Sequence, residues 1–426
     1  MGGFVRRRVC RTAGGRLKNL IIAVLSFLLL GTSAGAILFY RIAQAQAPVT
    51  SGDVRPELAG LESAAAWKQL VDIISTAGDQ ALSEGDNGAI SKQDAVERLH
   101  GLVTILATTM RLPLNNDAQY PLIVPSDLLP SLSKIGGNSP DADYYNFPVS
   151  SAYRYRLRGT RGNAPFFNIQ VQGIKLDPNT QRPGVALASS LSDADLVYDE
   201  DGFFEVLISA EKPANFEGLW MAMDEDSFTV NIREYHHDRA AEGEPELHVE
   251  VLGDVPPPLP MTDASVAAGL QRAAFLSKFW FDARQWIPGL FEPGVVNSFP
   301  TAETNTNTFK ELGLNADVQY LAGAWRLGAG ETLVVEGRAP QGTPYWILQI
   351  SDRWHETADF RRRVVHYNDH TIKLESDGSF RAVISSEDPG VPNWLDTGGR
   401  SEGYMSFRWI AIGPLEISTQ VTKKSP

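Results

Sequence analysis

The sequence predicts a mainly β protein. It would hold two tandem, duplicated antiparallel β-sandwich or jelly-roll-like modules, with an N-terminal transmembrane helix, a helical spacer and an inter-module helix. Three observations carry that expectation. An uncharged apolar run stands near the N-terminus. Stretches such as "YRYRLRG" and "FFNIQVQG" alternate their side chains with period two, as strands do. One unusual phrase occurs twice, as "DEDGFFEVLISAEKP" and "ESDGSFRAVISSEDP".

The elements follow in order. Residues 1–18 form a basic leader. With Arg41 it brings seven bases and no acid to the first 41 residues, whereas the rest carries 31 bases against 51 acids, a net of −20. An acidic body repels phosphate backbones, so nucleic acid is excluded as a partner. Residues 19–40, "NLIIAVLSFLLLGTSAGAILFY", are uncharged for 22 residues. As a helix they span about 33 Å, enough for a bilayer core of about 30 Å. Bases on the N-terminal side place the leader in the cytoplasm and the body outside, in a single-pass cell-membrane protein. The alternative is secretion after signal cleavage near Ala45 or Ala47. The single cysteine, Cys10, lies in the leader, so the body has no thiolate for a nucleophile, a zinc ribbon or an iron–sulfur cluster.

Residues 41–60 read as a linker and 61–135 as a helical spacer. Trp67, Leu70, Val71 and Ile74 form one amphipathic stripe. Val96, Leu99, Leu102, Val103 and Leu106 form a second, with Ser91 as N-cap. Between them Ser83 to Asp94 resembles a calcium loop in its glycine and isoleucine, but Ser83 and Gly85 would occupy the first and third ligand positions, so a turn is expected. Period-two strands fill 140–253, the first β module. A proline linker and helical insert follow at 254–316, with Asp263 as N-cap. Strands return at 317–420, the second module.

The two β regions align as copies. Tyr144 matches Tyr320, "YRYRLRGTRGNAPFF" matches "ETLVVEGRAPQGTPYW", the repeated phrase matches itself, and "GLWM" matches "PNWL". The offsets are 176, 178, 176 and 174 residues. Such even spacing implies duplication. In each copy Asp-Gly makes a turn, because glycine accepts positive φ, and a proline ends the strand.

The run "PNWLDTGGRSEGYMSFRW" after "SDGSF" resembles a widespread bacterial family, domain-of-unknown-function family 1214, over about residues 310–415. The resemblance implies a β-rich, jelly-roll-like module, often beside a second β domain. It implies no activity, and no catalytic residue carries over from it.

Five of the nine tryptophans (325, 346, 354, 394 and 409) lie in the second copy. Tyr345, Trp346, Trp354, His355, Trp394, Arg400 and Trp409 are therefore candidate binding residues. Indoles stack on sugar rings, and arginine grips carboxylate or sulfate. The competing reading makes Trp354 and Trp394 staples that pin loops to the sheet. Glu356, Asp359 and Asp396 are the carboxylates a glycoside hydrolase or lyase would use, provided one is buried with a raised pKa beside another that stays ionised. Adjacent His236 and His237 would point to opposite faces of a strand, so they cannot easily share one ion. No His-x-His or His-Glu-x-x-His spacing occurs, and no metal site or cofactor is expected. The leading expectation is a membrane-anchored, exported envelope protein whose β modules bind a glycan, lipid or protein without catalysis. The alternatives are a carbohydrate-active enzyme and a structural scaffold.

Overall fold

Alternating strands without disulfides need a partner for each sheet face, and this chain supplies one from its own second copy. In a computed structural model, residues 60–87, 90–115, 117–125, 137–176, 183–282, 290–300, 317–410 and 415–423 are described. The apolar run 19–40 lies outside them. Among the described residues no helix is long and apolar enough to cross a membrane. Everything below belongs to the compact unit Glu62–Pro426.

Three helices precede or interrupt the strands: α1 (Glu62–Asp86), α2 (Lys92–Asn115) and α3 (Asp263–Phe281). Ser91 caps α2 reciprocally: its Oγ accepts from Asp94 N at 3.0 Å, and Asp94 Oδ2 accepts from Ser91 N at 3.1 Å. Ser83 and Gly85 lie in the last turn of α1, so this stretch is a helix end and a turn. The expected stripes are rotated. Trp67, Val71, Val96 and Val103 are exposed, while Ala66, Leu70, Ala95, Leu102 and Ile105 are buried. Ala66 lies against α3, which approaches closely enough to decide which face is inside, whereas Ala95 lies against Trp354 of the second module.

The N-cap of α3 is Thr262, not Asp263. Asp263 instead reaches α1, where its carboxylate accepts from Glu62 N at 2.9 Å and Ser63 N at 3.0 Å. The inter-module insert and the spacer are thus one three-helix layer. Thr109 and Ser277 tie α2 to α3 at 2.8 Å.

Module 1 contains β1 (Val124–Pro125), β2 (Ala142–Pro148), β3 (Tyr155–Thr160), β4 (Phe166–Leu176), β5 (Pro183–Ser192), β6 (Phe204–Ser209), β7 (Leu219–Ala222), β8 (Ser227–Tyr235) and β9 (Glu246–Val251). Module 2 contains β10 (Val318–Arg326), β11 (Glu331–Arg338), β12 (Trp346–Ser351), β13 (His366–Asn368), β14 (Phe380–Ser385), β15 (Trp394–Asp396), β16 (Glu402–Ile410) and β17 (Glu416–Lys423). The sheet orders repeat: β1-β2-β8-β4-β5 with β7-β6-β3-β9, then β10-β16-β12-β13 with β15-β14-β11-β17. The sheets are not purely antiparallel. β6 pairs with β7, and β14 with β15, in parallel, because the loop past each proline carries the chain back before it re-enters the sheet. Gly202 and Gly378 both take φ +82° in the repeated Asp-Gly turn.

Each module has a core between its two sheets, and a third apolar layer lies between the modules. That layer holds Tyr144, Phe166 and Tyr235 from module 1 and Tyr320, Tyr345, Ile347 and Tyr404 from module 2. The sheets β2-β8-β4-β5 and β10-β16-β12-β13 are therefore covered on both faces.

Gly337 and its copy Gly159 mark where strands approach too closely for a side chain. A Cβ at Gly337 would stand 2.5 Å from Glu416 O and 2.8 Å from the Phe380 ring. Gly337→Ala is expected to cost about 1–3 kcal/mol, read as a lowered urea midpoint of the full-length protein. An unchanged midpoint would show that β11 and β17 are not so closely packed.

Candidate functional site

Two clusters of titratable groups gather at one end of the inter-module layer, and strand register explains how. Asp143 on β2 lies directly opposite Glu234 on β8. His236 follows two residues later, so it continues the same face of the strand. That face carries Val230 and Ile232 into the core of module 1. Asp143, Glu234 and His236 thus close one end of an otherwise apolar core. His237 falls on the opposite face and meets module 2.

In the first cluster His236 Nε2 stands 3.2 Å from Asp143 Oδ2 and 3.7 Å from Glu234 Oε2, while its Nδ1 stands 3.1 Å from Glu242 Oε2. Arg239 pairs with Asp143 and donates to Pro140 O at 2.9 Å. The Glu234 side chain is fully buried, and neither of its oxygens has a hydrogen-bond partner. Burial pushes its carboxyl up to about 7; His236 opposes that rise and Asp143 adds to it. For His236, burial works against the charged form, but the Asp143 hydrogen bond and the Glu234 charge prevail and raise it.

The second cluster joins the modules. Asp141 Oδ1 stands 2.7 Å from His366 Nε2, and Asp141 Oδ2 accepts from Asn368 Nδ2 at 2.9 Å. Asn368 also donates to His237 O at 2.9 Å. His237 Nε2 stands 3.1 Å from Asp369 Oδ2, and the rings of His237 and His370 stack 3.8 Å apart. Asp369 Oδ1 is buried without a hydrogen-bond partner, and burial raises this carboxyl. His370 is the exposed edge of the group. In each of two triads, Asp143–Glu234–His236 and His237–Asp369–His370, one ligand atom per residue lies within 4.8 Å of the others, a spacing that suits a metal ion. The two adjacent histidines do point apart, yet each finds its own cluster. Sequence reasoning missed both triads because their members come together only through strand pairing and the inter-module contact. The "REYHHD" run was the available signal.

The seven candidate binding residues do not form one open cleft. Trp346 and Trp409 are buried in the core of module 2, and Tyr345 in the inter-module layer, where its hydroxyl lies 3.3 Å from Asp141 Oδ2. Trp354 is buried against Ile90 and Ala95; its Nε1 donates to Asp94 O at 3.0 Å, and Arg98 lies 4.9 Å above its ring. Arg400 Nε pairs with Glu97 Oε2 at 3.0 Å. Trp354 and Arg400 therefore converge, but on α2. Trp394 donates to Ser385 O at 3.1 Å within its own turn, as Trp220 donates to Ser209 Oγ at 2.9 Å in the first copy.

The carboxylates are also engaged. Glu356 is buried beside Gly101 of α2, Arg361 holds Asp359 down to about 2, and Arg363 pairs with Asp396 at 2.6 Å. Burial pushes the neighbouring Asp352 up to about 7, yet its Oδ1 accepts from Trp354 N at 2.8 Å and Glu356 N at 2.9 Å, which organises the loop.

His355 takes φ +60° and stacks on Tyr404 at 3.5 Å. Burial, helped by Arg408, pushes its imidazole down to about 3.

Two outcomes follow from these placements. Trp354→Ala empties the contact under α2 and is expected to cost about 3–5 kcal/mol, with faster hydrogen exchange in α2 than in β4. Equal protection of α2 in variant and wild type would contradict that role. His355 resists protonation in the fold until about pH 3, whereas an unfolded imidazole titrates near 6.5. The unfolded chain thus binds the extra proton first, and stability falls on acidification through that window by at most about 1.4 kcal/mol per pH unit. His355→Asn, which tolerates the same backbone, is expected to lose less stability than wild type between pH 6.5 and 4. Parallel profiles would exclude this contribution.

Comparison with known proteins agrees with the fold. A crystal structure of a putative uncharacterized protein from Burkholderia cenocepacia is 25% identical, with a TM-score of 0.73, and the match covers 84% of this chain and 96% of that one. A protein of Vibrio parahaemolyticus is 12% identical with a TM-score of 0.40, over 66% of this chain and 89% of its own. No curated protein matches the chain. The family described as protein of unknown function (DUF1214) matches residues 139–239 and 325–411, one segment in each β module, and it is this family that the chain resembles in both copies.

Proposed function

We propose that the chain is an exported protein, held in the cell membrane by residues 19–40 with its N-terminus in the cytoplasm. Its paired β modules bind a hydroxyl-rich envelope glycan without catalysis. The observation that supports this reading is the His237–Asp369–His370 group, built from both modules. A stacked imidazole pair offers an aromatic face with one exposed edge. Beside it Asp369 Oδ1 is a buried acceptor with no donor. Stacking on a sugar ring and acceptance of its hydroxyls is the chemistry expected of tryptophan and carboxylate in the second copy. Those tryptophans are committed to cores and staples, whereas His370 stays exposed at the edge of the group.

Thermal unfolding of the detergent-solubilised full-length protein against a panel of envelope oligosaccharides tests the reading. A ligand at a hundred times its Kd adds about 2.7 kcal/mol to the native state. A melting shift that disappears in His237→Ala and His370→Ala is expected. A shift retained in both variants, or none across the panel, would overturn the assignment.

A further inference from the structure

We infer that Asp143, Glu234 and His236 form a binding site for one divalent transition cation of the zinc class, separate from the stacked His237–His370 pair. Four features support it. Glu234 is fully buried, with both oxygens lacking a hydrogen-bond partner, and it is aimed at His236 Nε2 from 3.7 Å, too far for a hydrogen bond. Asp143 Oδ2 approaches the same nitrogen at 3.2 Å. Ligand atoms about 2.0–2.2 Å from a tetrahedral zinc ion stand about 3.3–3.6 Å apart, so these spacings lie close to what one ion needs.

The far side of the histidine is prepared as well. Nδ1 lies 3.1 Å from Glu242 Oε2, the outer carboxylate that fixes the tautomer of a metal-bound imidazole and turns the Nε2 lone pair inward. Without an ion, a proton on Nε2 bridges to Asp143, and a divalent cation would take that proton's place. Asp143, Glu234 and Glu242 gather around His236 with Arg239 beside Asp143, so the cluster is rich in negative charge that a cation would offset.

The second module shows that the fold does not require this cluster. The register equivalent of Glu234, opposite Phe167 on β4 and Asp143 on β2, is Trp409, opposite Trp346 on β12 and Gln319 on β10. Trp409 closes the same end of its sandwich as part of an apolar core. One copy ends in an indole, and the other ends in a nitrogen and two carboxylates. Gly162 keeps the site roofed: a Cβ there would stand 2.3 Å from Gly243 O and 3.2 Å from Glu234 Oε1. With no thiolate and one imidazole, the donor set suits zinc or manganese better than a soft ion.

The test uses the full-length protein in detergent, stripped with chelator and titrated with zinc chloride and manganese chloride. One equivalent is expected to bind and raise the melting temperature. Glu234→Gln, nearly isosteric and uncharged, is expected to abolish stoichiometric binding, and Glu242→Gln to weaken it about 10- to 100-fold. His237→Ala with His370→Ala is expected to leave it intact. X-ray absorption of the zinc-loaded wild type is expected to show one imidazole nitrogen with oxygen ligands at about 2.0–2.2 Å; this readout needs no variant to fold. Two imidazoles in the shell, binding that persists in Glu234→Gln, binding lost only with His237 and His370, or no binding at all would each overturn the assignment.

Discussion

The fold depends on covering β2-β8-β4-β5 and β10-β16-β12-β13 on both faces. Each sheet packs on its own module's second sheet on one side and on the other module on the other. Burial of aromatic side chains such as Tyr144, Phe166, Tyr235, Tyr320, Tyr345 and Tyr404 drives the contact, at roughly 1.5–3 kcal/mol for a large side chain. The same burial traps polar groups, and each one left unsatisfied costs about 1–3 kcal/mol. Hence Asn168 donates to Asp317 across the modules at 2.9 Å, Arg233 to Gln170, and Asn231 to Asn146 at 2.8 Å. Satisfaction stays partial, at Asn168 Oδ1, Gln170 Nε2 and Asn231 Oδ1 and, towards one end of the layer, at the Glu234 and Asp369 carboxylates. Both candidate sites lie there.

The repeat was legible in the chain because its punctuation is local. Asp-Gly turns, strand-ending prolines and the Ser91 cap act through their own backbone, so residue identity suffices. The inter-module layer was not legible. In "FFNIQVQG" the polar residues Asn168, Gln170 and Gln172 alternate as if facing water, but all three are buried because a second copy covers that face. The tryptophans misled for a related reason. Trp346 and Trp409 fill a core, and Trp354 fills the contact with α2, so their density in the second copy reflects two burial demands and no open cleft. His236 and His237 point apart as strand geometry requires. What sequence could not show was that Asp143 and Glu234 wait on one side and Asp369 and His370 on the other.

Duplication explains how one copy can carry a costly cluster. With module 2 keeping Trp409 in its core, the same position in module 1 holds a carboxylate whose burial pushes it up to about 7. A buried carboxyl without a partner opposes stability by itself. Its place at a sandwich end, beside the inter-module contact and away from the middle of the core, limits the damage.

The central claim is that the two β modules hold each other through the tyrosine layer, and calorimetry of the full-length protein tests it most directly. The account predicts that both modules melt in one transition, and that Tyr345→Ala separates it into two. Two independent transitions in the wild type, unmoved by that substitution, would contradict it.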